Sequence, residues 1–206
     1  MCGRSTAVRR RRWRVRGAPK AVSRRPALLA FLDRLVEHWR RSIDALVAAG
    51  VDVIYFGEDW GTQTGPLVSP DLFRDVFRPR YRKLVERVHR SGGRVFFHCC
   101  GSPGPIFDEL LDLGIDGLWP QIDPFEADAR QVELCRERRV AVYIHPDRQR
   151  LVPLGTPAEI DAEIRRYAER YRAFGGGGGG IFYVETENDA PFENVRVLIE
   201  SVEKWR

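Results

Sequence analysis

Five short apolar segments, each followed by a stretch of helical period, constrain the fold of this chain more than any other feature of it. The segments are 51–56, 94–98, 115–119, 140–144 and 180–185. Ahead of the first, Leu28, Leu29, Leu32, Leu35, Val36, Trp39, Ile43, Leu46 and Val47 recur at steps of three and four, and the pattern stops at Gly50. That predicts a helix opening at Pro26. Further helices are predicted over 70–91, stopped by Gly92-Gly93, and over 104–113, 128–138, 157–174 and 192–205. Thr156-Pro157 reads as an N-cap with proline at the first helical position. Strands alternating with helices at this spacing predict parallel β/α units, and their short apolar character fits strands covered on both faces.

Two architectures share that pattern, an open doubly wound sheet and a (β/α) barrel. The turn after the first strand, Phe56-Gly57-Glu58-Asp59-Trp60-Gly61, is not a GxGxxG, so a dinucleotide fold gains no support. Polar side chains instead follow every strand: Glu58-Asp59, His98-Cys99-Cys100, Gln121 and Asp123, His145 and Asp147, Glu185 and Glu187. A barrel gathers its chemistry at such strand ends. The expectation is therefore an α/β fold, an incomplete TIM (β/α)8-type barrel of about five units over residues 26–206. Only five strands are visible where closure needs eight, so two parallel edges stay uncovered, an aggregation hazard. A truncated product, a piece completed by a complementing chain and a free-standing open sheet all fit; truncation is the expectation, with a homodimer as a further possibility.

Charge separates the chain into two parts. It carries 34 Lys+Arg against 29 Asp+Glu, net +5, yet residues 1–25 hold nine Arg, Lys20 and no acid. The remainder is net −5. A nucleic-acid reader should be basic on its folded surface, so no nucleic-acid partner is expected. Residues 1–25 are expected to be a disordered tail foreign to the fold. No apolar run reaches the roughly 18 residues that span a bilayer, and the start lacks the apolar stretch of a secretory signal. Four cysteines, two of them adjacent, are too sparse for a disulfide framework, which points to a reducing, cytoplasmic setting. Cys135 reads as core and Cys2 as part of the tail. The six glycines 175–180 precede a strand rather than a helix, so they read as a loop and not as a phosphate cradle.

His98-Cys99-Cys100-Gly101 is the sharpest local feature. Side chains alternate along an extended segment, so His98 and Cys100 share a side and Cys99 faces the other way. An imidazole and a thiolate so placed suit zinc, and a packed histidine with two core thiols suits the same spacing. Glu185 is the candidate third ligand, with Glu187 as alternate; capping or pairing with an arginine is the competing role. Asp59 is a candidate to orient substrate, act as acid or base, or bind a cation, against a turn cap. His145 is a candidate proton carrier, against a structural histidine.

Longer stretches carry a resemblance. Residues 57–73, with Gly57-Glu58-Asp59-Trp60-Gly61-Thr62-Gln63-Thr64-Gly65-Pro66-Leu67, resemble the GDDLGxQxGPLISPxLF stretch of the uroporphyrinogen decarboxylase superfamily. Arg78-Pro79-Arg80-Tyr81 does so too. His98-Cys99-Cys100-Gly101 resembles its HxCG, Gly155-Thr156-Pro157-Ala158-Glu159-Ile160 its GTPEEV, and Pro191-Phe192-Glu193-Asn194 its PxEN. The resemblance runs in order over about residues 50–206 and implies the C-terminal five-eighths of a (β/α)8 barrel with its site at the C-terminal mouth. It implies one of two chemistries. Cofactor-free decarboxylases act on carboxylated tetrapyrroles; zinc-dependent cobamide methyltransferases hold zinc on an HxC pair plus a distant Cys. His98 and Cys100 match the pair. No Cys stands near Val184-Glu185, which makes Glu185 the expected third ligand. The decarboxylases' N-terminal arginines and late GHG histidine are absent, which favours the methyltransferase-like branch. That branch implies Zn2+, a corrinoid as methyl donor, a small-molecule thiol and a corrinoid-protein partner. It implies Asp59, His98 and Asp147 in catalysis, with Gln63, Gln121 and His145 on the substrate. The alternatives are a decarboxylase and an inactive piece that needs a partner chain.

Overall fold

A computed structural model describes residues 26–172, 174 and 179–206. The expectations for residues 1–25, Cys2 included, and for most of the glycine run lie outside these residues. Helix α1 (Pro26–Ala48) leads into strand β1 (Val53–Gly57). A two-strand hairpin follows, β2 (Gly61–Thr62) and β3 (Gly65–Pro66). Next come α2 (Pro70–Leu72), a π-helical turn (Phe73–Phe77) and α3 (Arg78–Arg90). The order continues with β4 (Arg94–Cys99), a 3-10 turn (Gly104–Ile106), α4 (Phe107–Leu111), β5 (Gly117–Pro120), α5 (Ile122–Glu126), α6 (Ala129–Glu137) and β6 (Ala141–Ile144). It ends with α7 (Leu151–Leu154), α8 (Pro157–Arg172), β7 (Gly179–Phe182) and α9 (Phe192–Trp205).

The sheet order β1-β4-β5-β6-β7 follows the chain, and every neighbouring pair is parallel. A doubly wound sheet reverses its order at a switch point. This one never does. With right-handed crossovers, a monotonic order stacks the helices on one face and curls the sheet as in a barrel. The fold is thus an incomplete (β/α) barrel of five parallel units.

Burial follows the two-residue strand period. Ile54, Val95, Phe97, Leu118, Val142 and Ile144 are buried and belong to one core with the helices. Their neighbours Tyr55, Phe96, His98, Trp119 and Tyr143 point to the other face and stay partly or largely exposed. That inner face is aromatic: Trp119 lies 6.0 Å from Tyr55, 6.1 Å from Tyr143 and 4.4 Å from Tyr183, centroid to centroid. Exposed large apolar side chains collect at the two ends of the sheet. Phe31, Leu35, Trp39 and Leu46 of α1 and Val53 and Tyr55 of β1 mark one end; Ile181, Val184 and Ile199 mark the other. Neither outer edge has a strand partner among the described residues.

Local chemistry explains the boundaries. Ser69 Oγ accepts the Leu72 N–H and opens the helix, as a serine N-cap should. Pro79 has no N–H to give, and the strain is taken up as a π turn; the Arg80 guanidinium then donates to the Val76 carbonyl. Asp128 caps α6 by accepting from the Arg130 N–H. Thr156 and Glu159 form a reciprocal capping box on α8: Thr156 N–H and Oγ1–H donate to Glu159 Oε2, and Glu159 N–H donates to Thr156 Oγ1. The hairpin and the short helices α5 and α7 carry no period long enough to be read from sequence.

Candidate functional site

Three chain segments meet at the C-terminal end of β4. The strand itself ends in His98 and Cys99, and Cys100 follows. The loop after β1 brings Asp59, and the β2–β3 hairpin lies across both. Trp60 anchors this loop on the core side, with its ring 5.0 Å from Phe73 and 4.8 Å from Phe77. On the site side the hairpin is joined to residues 100–102 backbone against backbone. Ser102 N–H donates to the Thr62 carbonyl at 2.8 Å. A Cβ on Gly61 would stand 2.6 Å from the Cys100 carbonyl oxygen, and one on Gly101 2.5 Å from that of Thr62. Gly101 also has φ +69°, a left-handed conformation. Two glycines therefore set how closely Asp59 approaches Cys100.

Asp59, His98 and Cys100 present their donor atoms within 4.8 Å of one another, a grouping of potential metal ligands among the described residues. His98 Nε2 lies 3.2 Å from Asp59 Oδ1 and 3.2 Å from Cys100 Sγ. Cys100 N–H donates to the same Asp59 oxygen at 3.0 Å. The other ring nitrogen, Nδ1, lies 3.1 Å from the Trp119 carbonyl. A carbonyl can only accept, so Nδ1 carries a proton, and Nε2 is the nitrogen that faces the other two groups. Burial, reinforced by the Asp59 charge and hydrogen bond, pushes the Cys100 thiol above its ordinary pKa, while Arg148 works the other way. Cys99, facing the core, is pushed up to about 12 by burial, and so is Cys135 within α6. Both are core thiols.

The structure brings Asp59, His98 and Cys100 together, sets Gln63 and Gln121 beside them, and places Glu185, Glu187, His145 and Asp147 elsewhere on the mouth. Glu185, expected beside His98 and Cys100, is engaged with Arg148 at 3.0 Å and lies 3.7 Å from His145 Nε2. Strand β7 ends at Phe182, so Glu185 sits in the following loop, and Glu187 joins the same arginine at 3.4 Å. Asp59, not Glu185, lies beside His98 and Cys100. Asp147 accepts from the N–H groups of Gln149, Arg150 and Leu151, which makes it the cap of the turn before α7. Gln63 and Gln121 bond to each other. Arg148, which carries no motif of its own in the sequence, is a cation of this mouth; its only signal is its place directly after the strand-end His145-Pro146-Asp147. Burial and the neighbouring Asp147 raise the Asp123 carboxyl.

His145 is nine-tenths buried, its Nε2 has no hydrogen-bond partner among the described residues, and its ring lies against Trp119 and Tyr183. Burial first, then Arg148, hold its pKa below the usual 6.5. The unfolded chain therefore binds a proton there at a higher pH than the folded one. Stability from this group is present above about pH 6.5 and is lost as the pH falls through the folded pKa. Chemical unfolding at pH 7.5 and pH 5 should show a smaller acid loss in His145→Gln than in the parent; an equal loss would place the sensitivity elsewhere.

The donor set fits zinc. One nitrogen, one sulfur and one carboxylate oxygen are ligand types that zinc takes, and three protein ligands leave a fourth position for substrate, as in catalytic sites. The Nδ1–carbonyl bond is the outer support that metal-binding histidines use.

Comparison with known proteins points in one direction. A family model described as uroporphyrinogen decarboxylase (URO-D) matches residues 19–205. A curated uroporphyrinogen decarboxylase from Methylococcus capsulatus is 29% identical over 188 residues, covering 87% of this chain and 49% of that protein. The chain thus spans about half the length of that relative. Among solved structures, a dihydropteroate synthase from Anaplasma phagocytophilum superposes with a TM-score of 0.51 at 17% identity, over 82% of this chain and 66% of the other. At that identity the likeness is one of fold. No helix among the described residues is long and apolar enough to cross a membrane.

Proposed function

The chain belongs to the uroporphyrinogen decarboxylase family, and from that premise we propose that it carries the zinc-dependent, methyltransferase-like form of that family's chemistry, with His98, Cys100 and Asp59 as the ligands. The convergence of these three donors carries the reading. Bound there, Zn2+ would supply Lewis acidity and lower the pKa of a substrate thiol. The chain's own part is to hold the geometry. Trp119 fixes the His98 tautomer through its carbonyl. The Cys100 N–H orients Asp59, and the Cys100 thiol must give up its proton to become a ligand. Because burial raises that thiol's pKa, metal affinity should climb with pH. Tyr55 and Trp119 form an apolar wall beneath the site, suited to the nonpolar part of a small thiol. In this reading a corrinoid is the methyl donor, carried by a partner protein.

Metal analysis of the purified chain tests the reading. About one equivalent of zinc is expected, lost in Cys100→Ala and weakened in Asp59→Ala by more than the roughly 10–100-fold that losing an outer support costs. A parent protein that binds no zinc, or a Cys100→Ala variant that keeps it, would sink the proposal.

A second reading draws on the name of the Methylococcus relative: metal-free decarboxylation of a carboxylated tetrapyrrole, with Asp59 facing the pyrrole nitrogens. Among the described residues the mouth carries Asp59, Asp123, Asp147, Glu185 and Glu187 against Arg148 and Arg150, which disfavours a polycarboxylate. Uroporphyrinogen turnover by metal-free protein would favour it over the first.

A further inference from the structure

Gln63 and Gln121 are 58 residues apart in sequence and meet over the site. Gln121 Oε1 accepts two bonds, from the Gly101 N–H at 3.2 Å and from Gln63 Nε2 at 3.0 Å. Gln121 Nε2 returns a longer contact of 3.5 Å to Gln63 Oε1. The orientation of the Gln121 amide follows from chemistry, since only its oxygen can face an N–H donor. Gln121 stands just after β5, Gln63 sits in the β2–β3 turn, and Gly101 directly follows Cys100. One side chain thus ties three elements: the end of β5, the hairpin that continues from Asp59, and the backbone after Cys100.

We infer that Gln121, with Gln63, is a positioning pair for the metal ligands rather than a group that touches substrate. The inference rests on the zinc reading above. The Gly101 N–H is buried and finds its partner in Gln121. Without that acceptor the buried N–H must find another, and the neighbouring Cys100 backbone shifts with it. Cys100 N–H in turn holds Asp59. Two of the three donors therefore depend on one glutamine oxygen that binds neither of them. The Gln121 oxygen already accepts from the Gly101 N–H and from Gln63 Nε2, so it makes a poor substrate contact as it stands.

Cobalt substitution is the test, because Co2+ reports ligand geometry by its spectrum independently of turnover. The parent chain should bind Zn2+ and Co2+, with a thiolate charge-transfer band from Cys100. Gln121→Ala should bind both metals about 10–100-fold more weakly, the usual effect of losing an outer support, and its cobalt bands should move. Gln121→Glu keeps the acceptor for Gly101 and should recover most of the affinity. Gln63 is exposed, so Gln63→Ala retains the fold and should lose affinity in the same direction by less; it carries the test if Gln121→Ala does not fold. A parent that takes up neither metal defeats the zinc reading itself. A parent that loads normally, with Gln121→Ala and Gln63→Ala unchanged in affinity and spectrum, overturns the positioning role alone.

Discussion

Replacing Gly101 by alanine should cost on the order of 3 kcal/mol of stability and, under the proposed zinc reading, abolish metal loading at micromolar zinc. Two effects add. The φ of +69° is a left-handed conformation that penalises any Cβ by about 1–2 kcal/mol. The new methyl would also lie 2.5 Å from the Thr62 carbonyl oxygen, which belongs to backbone and cannot rotate aside. Relief requires the hairpin to lift, and that breaks the Ser102–Thr62 bond and carries Asp59 away from Cys100. Gly61→Ala approaches the same contact from the opposite side, 2.6 Å from the Cys100 carbonyl oxygen and the Ser102 nitrogen. The two substitutions damage one contact, so the double variant should lose clearly less than the sum of the singles. Urea midpoints with parallel zinc titrations measure this. A parent-like midpoint for Gly101→Ala would mean that the hairpin yields freely and does not set the Asp59–Cys100 distance.

These glycines mark the division between what is legible in the sequence and what is not. The β/α alternation, the helix from Pro26 and the last helix over 192–205 follow from periodicity, because burial against one layer imposes period 3.6 on helices and period 2 on strands. The pair His98 and Cys100 is legible for the same reason, as both sit on one side of an extended segment. Asp59 is legible as a residue that could bind a cation, but its place beside that pair is not, because it lies on another loop. Asp59 reaches Cys100 through a hairpin of two-residue strands, too short to leave a pattern. The apolar run 180–185 makes Glu185 read as a strand end, but β6 pairs with β7 only as far as Ile144 and Phe182, which leaves Glu185 three residues out in the loop. Motif stretches also hide structural parts among chemical ones. Thr156 and Glu159 form a capping box, and Asn194, buried, donates to the carbonyls of Val152 and Gly155 to fix the turn ahead of α8. Neither belongs to the mouth.

The clearest test of the architecture compares the two faces of the sheet. Phe97 on β4 is fully buried under the helices, its ring 6.4 Å from Phe56 and 5.5 Å from Tyr81. Phe97→Ala should cost about 3–5 kcal/mol, the transfer of a large ring plus the cavity it leaves. Set against a domain stability of about 5–15 kcal/mol, that brings the chain near its unfolding threshold. Tyr143 on β6 faces the opposite way. It packs edge-on to Phe96 at 4.5 Å and near Trp119 at 6.1 Å, but one side of it is open. Tyr143→Ala should cost only about 1 kcal/mol, the value of aromatic contacts without full burial. In a closed barrel both positions would be interior and both losses large. Equal losses in chemical unfolding would therefore show that the inner face is covered in solution, whereas a gap of 2 kcal/mol or more, on the order expected from the packing difference, would show the sheet open along the face that carries His98.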